Sequence, residues 1–123
     1  MEIRESAEDY LEAMLMLQEE KGKIRSVDVA EKLHVSKPSV TYATKRLKEH
    51  GYITMDASSE ISLTEKGLAV ASNMLDRHKT LSVFLMKLGV SPDQALEDAC
   101  KIEHDLSEES FAAIRRHVNG SLK

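Results

Sequence analysis

Three side chains that could bind a metal ion are grouped near residue 100 of the sequence. Cys100, Glu103 and His104 are spaced at i, i+3 and i+4, which places them on one side of an α-helix because successive residues turn by about 100°. The apolar stripe of that helix comprises Ala95, Leu96, Ala99, Ile102 and Leu106. Glu103 falls within this stripe, where a carboxylate is costly unless a cation meets it. A thiolate, a carboxylate and an imidazole together suit a transition metal. The alternative is a helix with a satisfied glutamate, a core cysteine and a surface histidine.

Further candidate ligands lie on two other predicted helices. The first helix is predicted from Ser6 to Glu20, and Asp9 and Glu12 lie one turn apart on its polar side. His78 falls in the middle of the inward face of a long helix, among Ala71, Met74, Leu75, Leu81, Leu85 and Leu88. A lone histidine on such a face is more often a hydrogen-bonded core residue. Six candidate ligands on three helices nevertheless favour a metal site.

Length and composition restrict the classes of protein to consider. The chain has 123 residues, 41% of them hydrophobic and only 4% aromatic, which permits one moderate core or two small helical subdomains. A single cysteine excludes an internal disulfide and fits a reducing compartment. The sequence contains neither a signal peptide nor an apolar run of about 18 residues, so we expect a cytoplasmic protein with no membrane association.

The charge is distributed unevenly along the chain. The segment 21–50 contains eight basic and three acidic residues, a net charge of +5, whereas the whole chain carries −4. The remainder therefore carries −9. One basic segment in an acidic protein indicates a patch that binds a polyanion, joined to a different kind of domain. The alternative is an ordinary solvated helix face.

The basic segment has the pattern of a helix-turn-helix. One helix starts near Ser26, a turn covers residues 33–35, and Ser36 caps a third helix that Gly51 ends. Small hydroxyls at the start of the third helix could reach base edges in a major groove, and lysines further along could meet phosphates. The residues predicted to contact DNA are Arg25, Ser36, Lys37, Pro38, Ser39, Thr41, Tyr42, Lys45 and Lys48. The alternative is a plain helical hairpin.

The fold class follows from the elements after Gly51. Two short alternating runs, 52–55 and 61–64, predict a β-hairpin at the position of a wing. A long linking helix is predicted over 65–88, followed by two shorter helices that begin after Ser91 and Ser107. We therefore predict a mostly α protein with a small β-hairpin. Its N-terminal winged helix-turn-helix covers residues 1–64, and a helical domain covers residues 65–123.

Several motifs of the sequence are similar to those of one known protein family. The chain resembles the diphtheria toxin repressor and manganese transport regulator family of metal-dependent transcriptional repressors over essentially its whole length. The motifs that carry the resemblance are 8–12, the helix-turn-helix at 29–47, 63–67, Arg77-His78 and 98–107. The winged helix alone is shared by many regulators, whereas the stretch 98–107 together with His78 and the Asp9/Glu12 pair is specific. We expect the SH3-like domain of longer members to be absent, because the sequence stops at Lys123.

The resemblance implies a ligand set of mixed type. Asp9, Glu12, His78, Glu103 and His104 match the ligands of the manganese-type members, which can hold two metal ions. Cys100 departs from that type, since manganese-type members have a glutamate there and iron-type members a cysteine. We therefore expect Mn²⁺ or Fe²⁺, one or two per subunit, with Zn²⁺ or Co²⁺ able to occupy the site in vitro.

The implied function is a metal-dependent repressor that controls manganese or iron homeostasis. Its expected partners are double-stranded operator DNA and a second copy of the chain, with no small organic substrate. Metal would fix the DNA-binding domain against the dimerisation domain, so that two recognition helices enter successive major grooves. One alternative is a winged-helix transcription factor that senses a non-metal ligand, or an oxidant through Cys100. A metalloenzyme with Glu103 as general base is weaker, because no His-Glu-x-x-His spacing occurs.

Overall fold

The computed structural model describes residues 5–121, which form two compact units that divide between Ser72 and Asn73. The elements of the first unit are α1 (Glu5–Lys21), β1 (Ile24–Arg25), α2 (Ser26–Leu33), α3 (Lys37–Glu49), β2 (Ile53–Met55) and β3 (Glu60–Leu63). The helix α4 (Glu65–Lys87) starts in the first unit and ends in the second, which also contains α5 (Pro92–Ile102) and α6 (Glu108–Ser121). The predicted class, mostly α with a small β-hairpin, is confirmed.

A three-stranded antiparallel sheet supports the wing. The strand order is β1-β3-β2, with Ile24 opposite Ile61 and Ile53 opposite Leu63. The hairpin β2–β3 was predicted, whereas β1 was missed because two residues are too short to show an alternating pattern. Ile24 of this strand is 1% exposed, and the strand packs against α1 and α2. The strand β1 therefore pairs with the β3 edge of the wing hairpin.

A close backbone contact fixes the start of α4 to the wing. The carbonyl oxygen of Tyr52 lies only 1.9 Å from the point where a Cβ on Gly67 would stand, so this helical position accepts no side chain. Thr64 caps the same helix end, since its Oγ1 accepts from the Gly67 N–H at 3.1 Å and donates to the Gly51 carbonyl at 2.6 Å. The Lys66 ammonium lies 4.3 Å from the Tyr52 ring centroid. The base of the hairpin is thus held by backbone and side-chain contacts together.

The second unit packs three helices around a small core. Its buried centre consists of Leu81, Ala99 and Phe111, surrounded by Ile102, Leu106 and Ile114. Two predicted core positions are wrong, because Leu96 is 46% exposed and Leu88 is 64% exposed. The buried stripe of α5 is narrower than predicted and centres on Ala95 and Ala99, while Leu88 follows the last residue of α4 and leaves its inward face. Within residues 5–121, no helix is both long enough and apolar enough to cross a bilayer.

Candidate metal centre and nucleic-acid interface

The third helix presents one buried and one exposed face. Val40, Thr44 and Leu47 are buried, and the opposite face is open to solvent. That exposed face, here called the recognition face, consists of Lys37, Pro38, Ser39, Thr41, Tyr42, Lys45, Arg46 and Lys48. Apart from Pro38, its side chains are basic, hydroxylic or aromatic, which are the types that contact phosphates and base edges in a major groove.

Some hydroxyls near the start of α3 are already used within the helix. Ser36 is the N-cap, since its Oγ accepts from the Ser39 N–H at 3.2 Å and donates to the Ser39 Oγ at 2.9 Å. Thr41 donates to the Lys37 carbonyl at 3.0 Å. These bonds hold the first turn of α3 in one conformation. The proposed DNA contacts of these residues remain predictions.

The recognition face also includes a residue that was not predicted. Arg46 lies one turn after Tyr42, with Nη1 3.4 Å from the tyrosine hydroxyl and its guanidinium 5.7 Å from the ring centroid. The i, i+4 spacing of an aromatic residue and an arginine on the exposed face was the signal available in the sequence. Tyr42 is 65% exposed. The pair therefore presents an arginine and an aromatic ring to solvent at the middle of the face.

The wing and the first strand place two other charged groups. Arg25 lies on β1 opposite Glu60 of β3, so its predicted contact with DNA would come from the sheet rather than from a helix. At the tip of the hairpin, Asp56 accepts from the Ser58 N–H, the Ser58 hydroxyl and the Glu60 N–H at 2.8–2.9 Å. These bonds, that of the Ser58 hydroxyl first, lower the pKa of Asp56. The Asp56 carboxylate thus orders the tip of the hairpin by accepting hydrogen bonds from Ser58 and Glu60.

Three of the predicted metal ligands converge in the second unit. His78 on α4, Cys100 in the last turn of α5 and Glu103 just after α5 bring one ligand atom each within 4.8 Å of the others. The Sγ of Cys100 lies 3.7 Å from Nδ1 of His78, and that nitrogen lies 3.2 Å from Oε2 of Glu103. These three residues are here called the ligand cluster.

The fourth predicted ligand in this unit, His104, contacts the same carboxylate. Its Nε2 lies 3.5 Å from Oε1 of Glu103, and its side chain is 3% exposed. The prediction that Cys100, Glu103 and His104 share one helix was wrong, since α5 ends at Ile102. Glu103 keeps helical dihedral angles as the C-cap, and its N–H still bonds to the Ala99 carbonyl, so its side chain stays near Cys100. His104 lies in the turn that follows.

The two acids on the first helix lie in the first unit. Asp9 and Glu12 are one turn apart on α1, and Glu12 is only 6% exposed while Asp9 is half-buried. The sequence predicts both acids on the polar side of the helix, and the structure buries Glu12 there. A buried carboxylate requires compensation. Their role as ligands stays a prediction.

The electrostatics of the ligand cluster fit a bound cation. Glu103 is fully buried, and its two carboxylate oxygens lie 3.2 Å from Nδ1 of His78 and 3.5 Å from Nε2 of His104. Hydrogen bonding to the Cys100 thiol first, and then to the Glu103 carboxylate, raises the pKa of His78 from 6.5 to about 10, although burial opposes the rise. Without a metal, a proton on His78 provides the charge that the carboxylate needs. A divalent ion could replace that proton, since sulfur, nitrogen and oxygen donors together suit transition metals.

The fold and these two regions define a class of protein. A winged helix-turn-helix with an exposed, basic recognition face, in a chain that also contains a cluster of metal-ligand residue types around a buried carboxylate, is typical of a metal-responsive DNA-binding regulator. The comparisons with known proteins identify the family within that class. The family model for the iron dependent repressor, N-terminal DNA binding domain, matches residues 2–59. The model for the iron dependent repressor, metal binding and dimerisation domain, matches residues 64–120.

Individual relatives agree with the family models. The chain is 40% identical over 113 residues to an uncharacterized HTH-type transcriptional regulator of Methanocaldococcus jannaschii, covering 90% of each chain. It is 41% identical over 112 residues to the transcriptional regulator MntR of Escherichia coli, covering 91% of this chain and 72% of that one. A solved manganese-dependent transcriptional repressor in complex with manganese superimposes with a TM-score of 0.83 at 30% identity, covering 92% of this chain. The chain spans about half the length of that solved structure, 52%.

The chain belongs to the iron dependent repressor family of metal-dependent transcriptional regulators. The family resemblance stated from the sequence is therefore confirmed. The function class, a metal-responsive DNA-binding repressor of metal homeostasis, is confirmed with it, and nothing in the comparisons favours a regulator that senses a non-metal ligand.

Proposed function

We propose that this repressor responds to a divalent transition metal held by His78, Cys100 and Glu103. The observation that carries the proposal is the Glu103 carboxylate, which is fully buried beside two histidine rings. An imidazole nitrogen lies 3.2 Å from one of its oxygens, and the Cys100 Sγ lies 3.7 Å from that nitrogen. A bound ion would supply the positive charge that a buried carboxylate requires.

The donor set favours a first-row transition metal. Carboxylate and imidazole suit Mn²⁺, while a thiolate favours softer or later ions, so Cys100 shifts the preference toward Fe²⁺. We infer that Mn²⁺ or Fe²⁺ is the ion in the cell, with one or two ions per subunit. Zn²⁺ and Co²⁺ should bind in vitro, because raw affinity increases along the series toward the later metals. A manganese complex of a similar repressor supports the first part of this inference.

Asp9 and Glu12 extend the proposal to the first helix. We propose that both carboxylates are required for the metal response, together with His104. Since α1 belongs to the DNA-binding unit and the ligand cluster to the other, such a ligand set would make the metal a constraint on the domain arrangement. Metal binding would then raise the fraction of the protein that is competent for DNA.

The DNA-binding form is proposed to be a cytoplasmic homodimer on operator DNA. Two copies of α3 would enter successive major grooves about 34 Å apart. The residues proposed to contact DNA are Arg25, Ser36, Lys37, Pro38, Ser39, Thr41, Tyr42, Lys45 and Lys48. Hydroxyls and Tyr42 would face the bases, and the lysines would neutralise phosphates. The proposed role of this binding is control of manganese or iron homeostasis.

Metal titration of the apoprotein tests this function. A labelled duplex, selected from a random pool by manganese-loaded protein, serves as the probe, and its affinity is measured with each of the four ions. We expect Mn²⁺ or Fe²⁺ to tighten binding by about 5- to 150-fold, the usual range of allosteric coupling. The variants Asp9→Asn and Glu12→Gln should lose this response. DNA binding that ignores every divalent ion would contradict the proposal.

A further inference from the structure

A buried arginine holds the turn that carries the ligands Glu103 and His104. Arg77, the residue before His78 on α4, has a side chain that is only 5% exposed. Its Nη1 donates to the Glu103 carbonyl at 3.0 Å and to the Leu106 carbonyl at 2.7 Å. Its Nη2 donates to a Glu108 carboxylate oxygen at 2.8 Å. One guanidinium therefore joins both ends of the turn 103–106 and the first turn of α6.

The turn needs this support because it follows a helix end. Carbonyls at a helix end have no partners further along the helix. Those of Ala99 and Ile102 accept from the N–H groups of Glu103 and Asp105, whereas the carbonyl of the C-cap Glu103 accepts from Arg77. A buried carbonyl without a donor costs about as much as a lost hydrogen bond. The planar fork of an arginine can reach two carbonyls and a carboxylate at once, which a lysine ammonium cannot reproduce in the same geometry.

We propose that Arg77 is a positioning residue for the metal site, which sets the backbone of the ligand turn before an ion binds. Arg77 and the ligand His78 are adjacent on α4, so the arginine links the helix that carries one ligand to the turn that carries two others. Its hydrogen bonds go to the backbone oxygens of Glu103 and Leu106 and to the Glu108 carboxylate, rather than to the ligand atoms. The inference rests on the proposed metal function of the ligand cluster.

A second arginine provides a matched control. Arg77 lies 5.0 Å from the Phe111 ring centroid, and Arg115 lies 4.9 Å from the same centroid. Arg115 also forms an ion pair, with Asp76. The described contacts of Arg115 do not include the ligand turn. Loss of a general arginine–aromatic contact can therefore be separated from loss of the bonds to residues 103 and 106.

The test uses the full chain with Co²⁺ as the probe. Cobalt affinity is measured by competition with a chelator, and the thiolate-to-cobalt charge-transfer band reports whether Cys100 coordinates the ion. For Arg77→Lys we expect cobalt affinity about 10- to 100-fold lower, the usual cost of removing a partner that orients a ligand, together with a changed band. For Arg115→Lys we expect unchanged affinity and an unchanged band. Amide hydrogen exchange of residues 103–107 in the apoprotein should accelerate only in the first variant.

The outcomes separate this inference from the proposed function. If the wild-type chain gives no cobalt band, the proposed metal function fails. If the wild-type band is present and Arg77→Lys binds cobalt as the wild type does, the positioning role is overturned, as it is if Arg115→Lys loses as much affinity. Should Arg77→Lys not fold, Glu108→Ala decides, because Glu108 is 82% exposed and the loss of its side-chain acceptor frees only Nη2. A loss of cobalt affinity smaller than that expected for Arg77→Lys supports the inference, and an unchanged cobalt affinity contradicts it.

Discussion

The recognition face and the ligand cluster differ in their separation along the chain and in their exposure to water. All residues of the recognition face come from one helix of 13 residues, and their side chains are exposed. The ligand cluster combines residues from α4, from α5 and from the turn after it, and it includes a carboxylate that is fully buried. One region is local and solvated, whereas the other depends on tertiary structure.

This difference determines how each region is coupled to stability. Polar groups on an exposed helix face stay hydrated in the folded state, so replacing one of them has little effect on the free energy of unfolding. Polar groups in the ligand cluster are held by their neighbours, and removing one leaves the others without compensation. We therefore expect mutations of the recognition face to change DNA affinity alone, and mutations of the cluster to change metal affinity and stability together.

Glu103→Ala should have the largest effect on function. The carboxylate contacts Nδ1 of His78 and Nε2 of His104, so its loss removes a ligand as well as the partner of two imidazoles. We expect metal affinity to fall by more than about 100-fold, beyond the usual cost of losing an outer partner, and metal-dependent operator binding to disappear. Circular dichroism and sedimentation should show a folded dimer.

Glu97→Ala is the matched control for that variant. Glu97 lies on α5, the helix that Glu103 caps. Its side chain is 63% exposed, and its ion pair with Lys101 spans 3.6 Å on the surface. Surface pairs of this kind contribute about 0–1 kcal/mol, so metal affinity should not change. A Glu103→Ala protein that still represses with normal metal dependence would remove the contrast between the two regions.

Gly67→Ala should produce the largest loss of stability in the first unit. A Cβ at this position would stand 1.9 Å from the Tyr52 carbonyl oxygen, and backbone at that distance must move. We expect the free energy of unfolding to fall by about 3 kcal/mol, the upper part of the range for overpacking, as measured by urea denaturation.

Gly120→Ala provides the comparison in the second unit. Gly120 lies within α6, and a Cβ there would meet nothing within 4 Å. Alanine should therefore stabilise the helix by up to about 1 kcal/mol. If both substitutions had the same small effect, the contact between the wing and α4 would not be the constraint that we describe.

Local patterns predicted the first unit well. The cap Ser36 was assigned from residue type and position, and it accepts the expected N–H bond. The exposed face of α3 followed from a period of 3.6 residues. Strand β1 was missed because Ile24 and Arg25 gain their structure from pairing with β3, which is not a local signal.

The residues of the ligand cluster could be predicted from the sequence, but the backbone conformation that positions them could not. Residue types and spacing selected His78, Cys100 and Glu103, but a helical period overestimated the length of α5. The helix ends at Ile102. In the turn that follows, the carbonyls of Glu103 and Leu106 accept hydrogen bonds from Arg77. A contact made by a residue 26 positions earlier in the chain has no signature in the local pattern. Tertiary contacts therefore decided the end of α5.

Lys45→Met should have the smallest effect and should change DNA binding alone. Lys45 is exposed on the recognition face, so its removal should weaken operator binding about equally for all sequences and reduce the salt slope by about 1. The free energy of unfolding should change by less than about 0.5 kcal/mol. Lys21→Met is the matched control, because Lys21 belongs to the same basic segment but pairs with Asp28 at 3.1 Å. Fluorescence anisotropy over a range of salt concentrations measures both slopes. An unchanged slope for Lys45→Met, or equal changes in the two variants, would mean that net charge rather than the recognition face controls DNA affinity.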